Sequence, residues 1–291
     1  MTSNKKKCLF YGNCQVIFYL HNILKDNNIF NEQYDTTIYV NHDRDNFTVL
    51  RNINVEDLQN CNVIIFQPLD DNHGVYSTNN ILKFVKDTCI KISFPYIYSS
   101  FIYSTYFESA SERWTIGTLI NCGWRNIIKL ILLNATLEEI LIKFDNNEID
   151  FYFEERRNIC IDTLQKKEEK CNVKVSEFIL NNYRNKRLFV TQNHLTDFFN
   201  IFIANNVLQL LNLNIILDYP VEEDITIEAN CVYDKYNIEY HNFTYEPFLV
   251  DNNYTKNKII EFYNFAKNKK EIFKNSTLEI FKIVDDPEKF Q

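Results

Sequence analysis

Four glycines, five prolines and one methionine are all that 291 residues contain. So few glycines exclude the loops that cradle nucleotide phosphates, and neither G-x-x-x-x-G-K-S/T nor G-x-G-x-x-G occurs. The eight cysteines, at 8, 14, 61, 89, 122, 160, 171 and 231, form no C-x-x-C pair. None combines with histidine at zinc-finger spacing, so no metal is expected. Several lie in apolar runs, where cysteine acts as a small hydrophobe, and reduced thiols in a cytosolic compartment are the simplest account. No apolar run is long enough to cross a bilayer. Lys5-Lys6-Lys7 precedes apolar residues, but Gly12-Asn13 and Gln15 break the stretch. No small-residue cleavage site follows, so a secretory leader is not expected. Positive charge is short too, with 31 Lys and Arg against 39 Asp and Glu and a net charge of −8. That balance disfavours nucleic acid as a partner, and an anionic ligand would need a local cluster of cations.

What is present is apolar and aromatic. Hydrophobic residues make up 45% and aromatics 15%, which supplies a core and excludes general disorder. Asn, Ile, Lys and Tyr are abundant, the bias of an AT-rich coding genome such as that of a low-GC microbe or a large DNA virus. Localisation is expected to be cytoplasmic, in host or viral-factory cytosol if the source is a virus.

The chain is organised around residues 8–25. Cys8 to Tyr11 reads as a buried strand, Gly12-Asn13 as a tight turn, and the following run as a helix from Cys14 onward. In so glycine-poor a chain, Gly12 suggests a turn with unusual backbone angles. Asn13 is a good N-cap, which places Cys14 in the first helical turn. Unpaired N–H groups and the positive end of the helix dipole gather there and favour a thiolate.

Further strands are predicted at Tyr34 to Val40, at Asn62 to Gln67 and at Cys89 to Phe94, with helical segments between them. This alternation predicts an α/β fold with a doubly wound, mainly parallel sheet. Residues 1–291 are expected to form one domain, with a helical insertion at about 96–185 and a C-terminal helical extension at about 220–291. The aromatic, serine-rich stretch 96–107 suits a pocket wall or a core segment. Thr136-Leu-Glu-Glu139 has capping-box spacing. The sheet is expected to resume at Arg187 to Thr191, followed by a turn through His194 and an apolar helix from Asp197. In doubly wound sheets ligands bind at the carboxyl ends of strands. Cys14, Gln67 and the segment after Phe94 all fall there.

Cys14 is the candidate nucleophile and His194 the candidate base, with Asp197 one helical turn beyond it. His73, beside Gly74, is the substitute base; His21, His42 and His241 fit less well. Gly12, Asn13, Gln15, Gln67 and Asn193 are candidates for oxyanion or substrate binding at the same edge. Arg113, Arg125, Arg184, Lys186 and Arg187 are the cations near the candidate loops.

These motifs carry a resemblance. Phe-Tyr-Gly-Asn-Cys-Gln ending at Gln15, Val-Ile-Ile-Phe-Gln ending at Gln67, and Leu-Phe-Val-Thr-Gln-Asn-His ending at His194 resemble the WcbI-type polysaccharide-biosynthesis acetyltransferases. Leu195 stands where that family tends to show proline. The resemblance runs in order over roughly residues 7 to 215. It implies a coenzyme-A-binding protein that takes acetyl from acetyl-CoA and acetylates a sugar or nucleotide-sugar in surface-glycan synthesis. Cys14 would be its nucleophile or active-site thiol and His194 the partner; Arg125 and Arg187 are the cations assigned to the coenzyme. A homo-oligomer is left open. The fold is also distantly similar to SGNH hydrolases, with Cys14 in place of their serine and Thr191 at the position of their Asp. Two alternatives therefore stand beside the transferase: a cysteine-dependent esterase, and a non-catalytic glycan-binding protein.

Overall fold

The computed structural model describes residues 5–41, 53–105, 123–220, 232–247 and 250–268. His42, Arg113, Cys122, Cys231 and the ends of two expected segments, 106–107 and 269–291, lie outside them. The elements in chain order are β1 (Lys6–Gly12), a π-helical stretch (Gln15–Leu20), α1 (His21–Asp26), α2 (Asn28–Gln33), β2 (Tyr34–Val40), α3 (Val55–Asn60) and β3 (Val63–Phe66). A 3₁₀ stretch (Asp71–Tyr76), α4 (Thr78–Leu82) and β4 (Ile90–Ser93) follow. Then come α5 (Arg125–Leu132), α6 (Leu137–Asp145), α7 (Phe153–Glu168), α8 (Ser176–Asn182), α9 (Asp197–Leu210), α10 (Lys235–His241) and α11 (Asn252–Asn268).

The four strands form one parallel sheet in the order β2-β1-β3-β4. The α/β, parallel character expected from the alternation is therefore observed. β1 and β3 are the inner strands. Residues 8–12 of β1 and all of β3 are buried, which is why both read as continuous apolar runs rather than alternating ones. β2, on an edge, alternates more, with Asp35, Thr37 and Val40 exposed. The other edge is covered: Asn172 and Val173 donate their backbone N–H groups to Ser93 O at 3.0 Å. Ser93 N donates to Asn172 Oδ1 at 2.8 Å. These bonds satisfy groups that an open edge would leave for another chain.

The chain divides into two compact units. Met1–Tyr98 and Ile161–Thr226 make the first, which holds the sheet. Ser99–Cys160 and Ile227–Gln291 make the second.

One expected strand is absent from the sheet. Residues 187–191 fold back on themselves instead: Phe189 pairs antiparallel with Leu195, Val190 N donates to His194 O at 2.8 Å, and Thr196 N donates to Leu188 O at 3.1 Å. The ladder groups of this apolar run are taken by its own return limb, so it makes a small hairpin rather than another parallel strand.

The second unit packs around Trp124, Ile127, Phe144, Phe151, Ile259 and Phe262, with the Trp124 and Phe262 rings stacked at 4.3 Å. The capping box at α6 forms as its spacing predicts: Glu139 N donates to Thr136 Oγ1 at 3.2 Å and Thr136 N to Glu139 Oε2 at 2.7 Å. Within the aromatic stretch, Phe101, Ile102 and Tyr103 are buried core. The buried Arg156 guanidinium holds that stretch through the carbonyls of Ser100, Tyr103 and Ser104.

α10 lies within the expected C-terminal helical extension, and its start signal is a single buried aspartate, Asp234. Asp234 accepts from Tyr236 N and Asn237 N as N-cap, and from Ser104 Oγ at 2.6 Å and Thr255 Oγ1 at 2.8 Å. Burial pushes its carboxyl above the ordinary value. The folded state thus binds this proton more tightly than the unfolded chain does. The group's contribution to stability is full below the ordinary carboxylate value and is lost as pH rises through the raised one. Asp234→Asn should flatten that slope. Urea unfolding of both proteins at about pH 4 and about pH 7 measures it, and equal pH dependence would refute the assignment.

Candidate active site

Strand order reverses between β1 and β3: β1 is followed by β2 on one side, and β3 and β4 lie on the other. In open parallel sheets such a switch point opens a crevice beyond the strand carboxyl ends. Gly12-Asn13-Cys14 leaves β1 there, and Gln67 leaves β3.

The turn after β1 is built by sterics. Gly12 does not have a positive φ; Gly74 and Gly123 are the described glycines that do. The expectation of unusual angles at Gly12 is therefore corrected. A Cβ at Gly12 would stand 2.1 Å from Val16 Cγ2 and 2.6 Å from Val16 Cβ, so only glycine lets the helix start this close to the strand. Asn13 caps as expected: its Oδ1 accepts from Gln15 N at 2.9 Å, and its carbonyl accepts from Val16 N and Ile17 N. Cys14 is half-buried at the first helical position. The next turn is π-helical, with His21 N donating back to Val16 O. Such wide turns are rare and recur at functional sites.

Two buried glutamines tie the strand ends together. Gln67 Nε2 donates to Gln15 Oε1 at 2.7 Å and to Pro95 O at 3.4 Å, while its Oε1 accepts from Asn13 N at 3.3 Å. Gln15 Nε2 donates to Ile97 O at 2.6 Å and to Asn193 O at 2.7 Å, and its Oε1 also accepts from Ile97 N at 3.1 Å. Both side-chain N–H groups of Gln15 and of Gln67 are thus engaged. These candidates for oxyanion or substrate binding link the loop after β1 to the ends of β3 and β4.

The Gln15–Asn193 bond joins the residue after Cys14 to the residue before His194. His194 is half-buried, and the Tyr19 ring lies 5.9 Å from its ring, tilted by 47°. Tyr19 stands five residues beyond Cys14, about one π-turn along the helix. The hairpin holds His194 through its own backbone: His194 N donates to Thr191 Oγ1 at 3.1 Å, and Thr191 Oγ1 donates to Asn193 Oδ1 at 3.2 Å. Gly12, Asn13, Cys14, Gln15, Gln67, Asn193 and His194 therefore gather at one sheet edge. Asp197 is exposed at the head of α9.

The candidate cations within the described residues each have local contacts. Arg187 is buried at the hairpin base, where its Nε donates to Phe189 O at 3.2 Å and its carbonyl accepts from Thr196 Oγ1. Arg125 belongs to the second unit, where it pairs with Glu155 at 2.7 Å and lies 4.1 Å over the Tyr152 ring. Lys186 stands over Phe198 and Arg184 over Tyr183. His73 pairs with Asp70 at 2.9 Å in the exposed loop after β3, and this bond holds the Asp70 carboxyl below its ordinary value. Among the described residues no cluster of His, Cys, Asp or Glu is suited to a metal.

Sequence reasoning missed Gln192. Its side chain is buried, its Oε1 accepts from Tyr98 OH, and its Nε2 has no hydrogen-bond partner among the described residues. The signal available was adjacency in Gln-Asn-His, but burial of the side chain is set by distant residues.

No protein-family model matches the chain, and no curated protein matches it. A solved structure does, with 17% identity and a TM-score of 0.60 over 76% of this chain and 75% of the other. It is WcbI, described as a novel polysaccharide biosynthesis enzyme, in its native form without a disulfide bond between coenzyme A and a cysteine. The two proteins share a fold. At this identity the likeness to WcbI is a distant structural relationship.

Proposed function

We propose that the chain is an acetyl-CoA-dependent acetyltransferase that modifies a sugar or nucleotide-sugar hydroxyl or amine in glycan biosynthesis. The observation that carries this reading is the placement of Cys14 at the switch point, on a fold shared with a polysaccharide biosynthesis enzyme whose description names coenzyme A and a cysteine without a disulfide between them. The residues at the site suit a thioester. A half-buried thiol stands at the head of the π-turn, beside the loop that carries His194.

Acetyl-CoA supplies an activated acetyl group as substrate. His194 takes the Cys14 proton, the Cys14 sulfur attacks the thioester carbonyl, and the bond from that carbon to the coenzyme A sulfur breaks. The leaving thiolate takes a proton from His194. His194 then accepts the proton of the sugar hydroxyl or amine, whose oxygen or nitrogen takes the acetyl group; the Cys14 thiolate leaves and takes that proton from His194 to restore the thiol. Asn13, Gln15, Gln67 and Asn193 keep the two loops in register, and Gly12 permits their approach.

Thermal unfolding with added coenzyme A or acetyl-CoA tests the reading. A ligand that binds only the folded state at about 100 times its Kd stabilises it by roughly 2.7 kcal/mol, a clear rise in Tm. No rise at millimolar ligand would overturn the assignment, and ester hydrolysis without coenzyme A would point to an esterase instead. Mass spectrometry after acetyl-CoA treatment then reads the covalent step. An acetyl group should appear on Cys14 and vanish in Cys14→Ala; its absence in the native chain would mean direct transfer from donor to sugar.

A further inference from the structure

At the opposite end of the sheet, two thiols face each other. Cys61 Sγ and Cys89 Sγ lie 3.4 Å apart in the core. Cys61 closes α3 just before β3, and Cys89 stands immediately before β4. The backbone between them is already fixed by the sheet: Val63 pairs with Ile90, and Ile90 N donates to Asn62 O at 2.9 Å. Strand spacing with a one-residue offset puts the two Cα atoms about 6 Å apart, within the span of a disulfide.

The pair is also chemically polarised. The Cys61 thiol is lowered, first by its hydrogen bond with Cys89 and then by the Lys91 and Lys86 charges, while the same contact and burial raise Cys89. Cys61 is therefore the sulfur that ionises first. Both residues are buried, at 4% and 6% exposure against 1% for Cys8.

We propose that Cys61 and Cys89 are a reversible dithiol that closes to a disulfide when peroxide rises, stapling β3 to β4. The Cys61 thiolate attacks one peroxide oxygen; the O–O bond breaks, hydroxide leaves and takes up a proton, and Cys61 becomes a sulfenic acid. Cys89 sulfur then attacks Cys61 sulfur, the S–O bond breaks, and the Cys89 proton leaves with the oxygen as water. Two thiols and one peroxide give one disulfide and two waters. The staple joins the amino ends of the two strands whose carboxyl ends lead to Gln67 and Ile97, both partners of Gln15, and to Pro95, a partner of Gln67. It stands independently of the coenzyme A reading.

Hydrogen peroxide treatment of the full chain, followed by alkylation and non-reducing peptide mapping, tests the proposal. A Cys61–Cys89 cross-linked peptide should form, revert with dithiothreitol, and raise Tm by several degrees over the reduced protein. Cys61→Ser and, separately, Cys89→Ala should each abolish the cross-link, and Cys8→Ser should retain it. Full alkylation of both Cys61 and Cys89 after peroxide, or a cross-link from either to another cysteine, would overturn it.

Discussion

Gln15→Ala is expected to lower stability by about 3 kcal/mol, since a buried polar group left without its partner costs about 1–3 kcal/mol and this change strands several. The native amide makes two donations, to Ile97 O and Asn193 O, and accepts two, from Gln67 Nε2 and Ile97 N. Water entering the vacated volume would recover part of the loss, which is why the expected value stays below the sum over all four bonds. Gln15→Glu sharpens the test. A carboxylate there would face two carbonyl oxygens where the amide donated to them, so the variant should be less stable at about pH 7 than at about pH 4, where the acid is largely protonated and can donate once. Urea midpoints at constant m-value read both effects. A Gln15→Ala protein within about 0.5 kcal/mol of the native chain, the range of an ordinary surface substitution, would mean that this network does not hold the loops.

The second large effect is at Gly12. Gly12→Ala places a methyl group 2.1 Å from Val16 Cγ2, against a helix whose start is fixed by Asn13. Overpacking of this kind costs about 1–3 kcal/mol and sometimes more, and at so short a distance the upper end is expected. Val16→Ala removes the nearest atom but leaves its Cβ at 2.6 Å from the new methyl. The double variant should therefore recover part of the loss and not all of it. A double-mutant cycle in thermal or urea unfolding gives the coupling, and a value near zero would place the strain elsewhere. Because Cys14 is two residues on, the same strain should reduce the thiol-dependent activity proposed above in the single variant before it unfolds the chain.

Both predictions rest on features that were only half legible. The Gly-Asn-Cys-Gln run announced a strand, a turn and a helix, because apolar run length, a capping asparagine and a scarce glycine are local signals. It suggested the wrong reason for the glycine. Its φ is ordinary, and the requirement comes from Val16, four residues ahead and folded back over it. Gln15 and Gln67 were legible as amides at strand carboxyl ends, but their use was not. Gln15 bonds to groups 52, 82 and 178 residues away, and no local pattern encodes partners at that separation. Gln192 was passed over as a turn residue for the same reason. The 187–191 run looked like a strand by composition, yet it pairs with its own return limb, a choice between two ladders that composition does not make.

The sequence by itself determined the parallel α/β character of the sheet, the cap at Asn13, the capping box at Thr136 and the position of Cys14 at the start of a helix. Each follows from residues within a few positions of one another, where backbone angles and burial period set the outcome. The tertiary structure alone decided the strand order and hence the switch point. It also decided which amides frame the site and which stays unused, and that Cys61 and Cys89 meet. Hydrogen bonds and sulfur contacts act over about 3 to 4 Å, so they belong to whichever residues the fold brings within that reach, however far apart they stand along the chain.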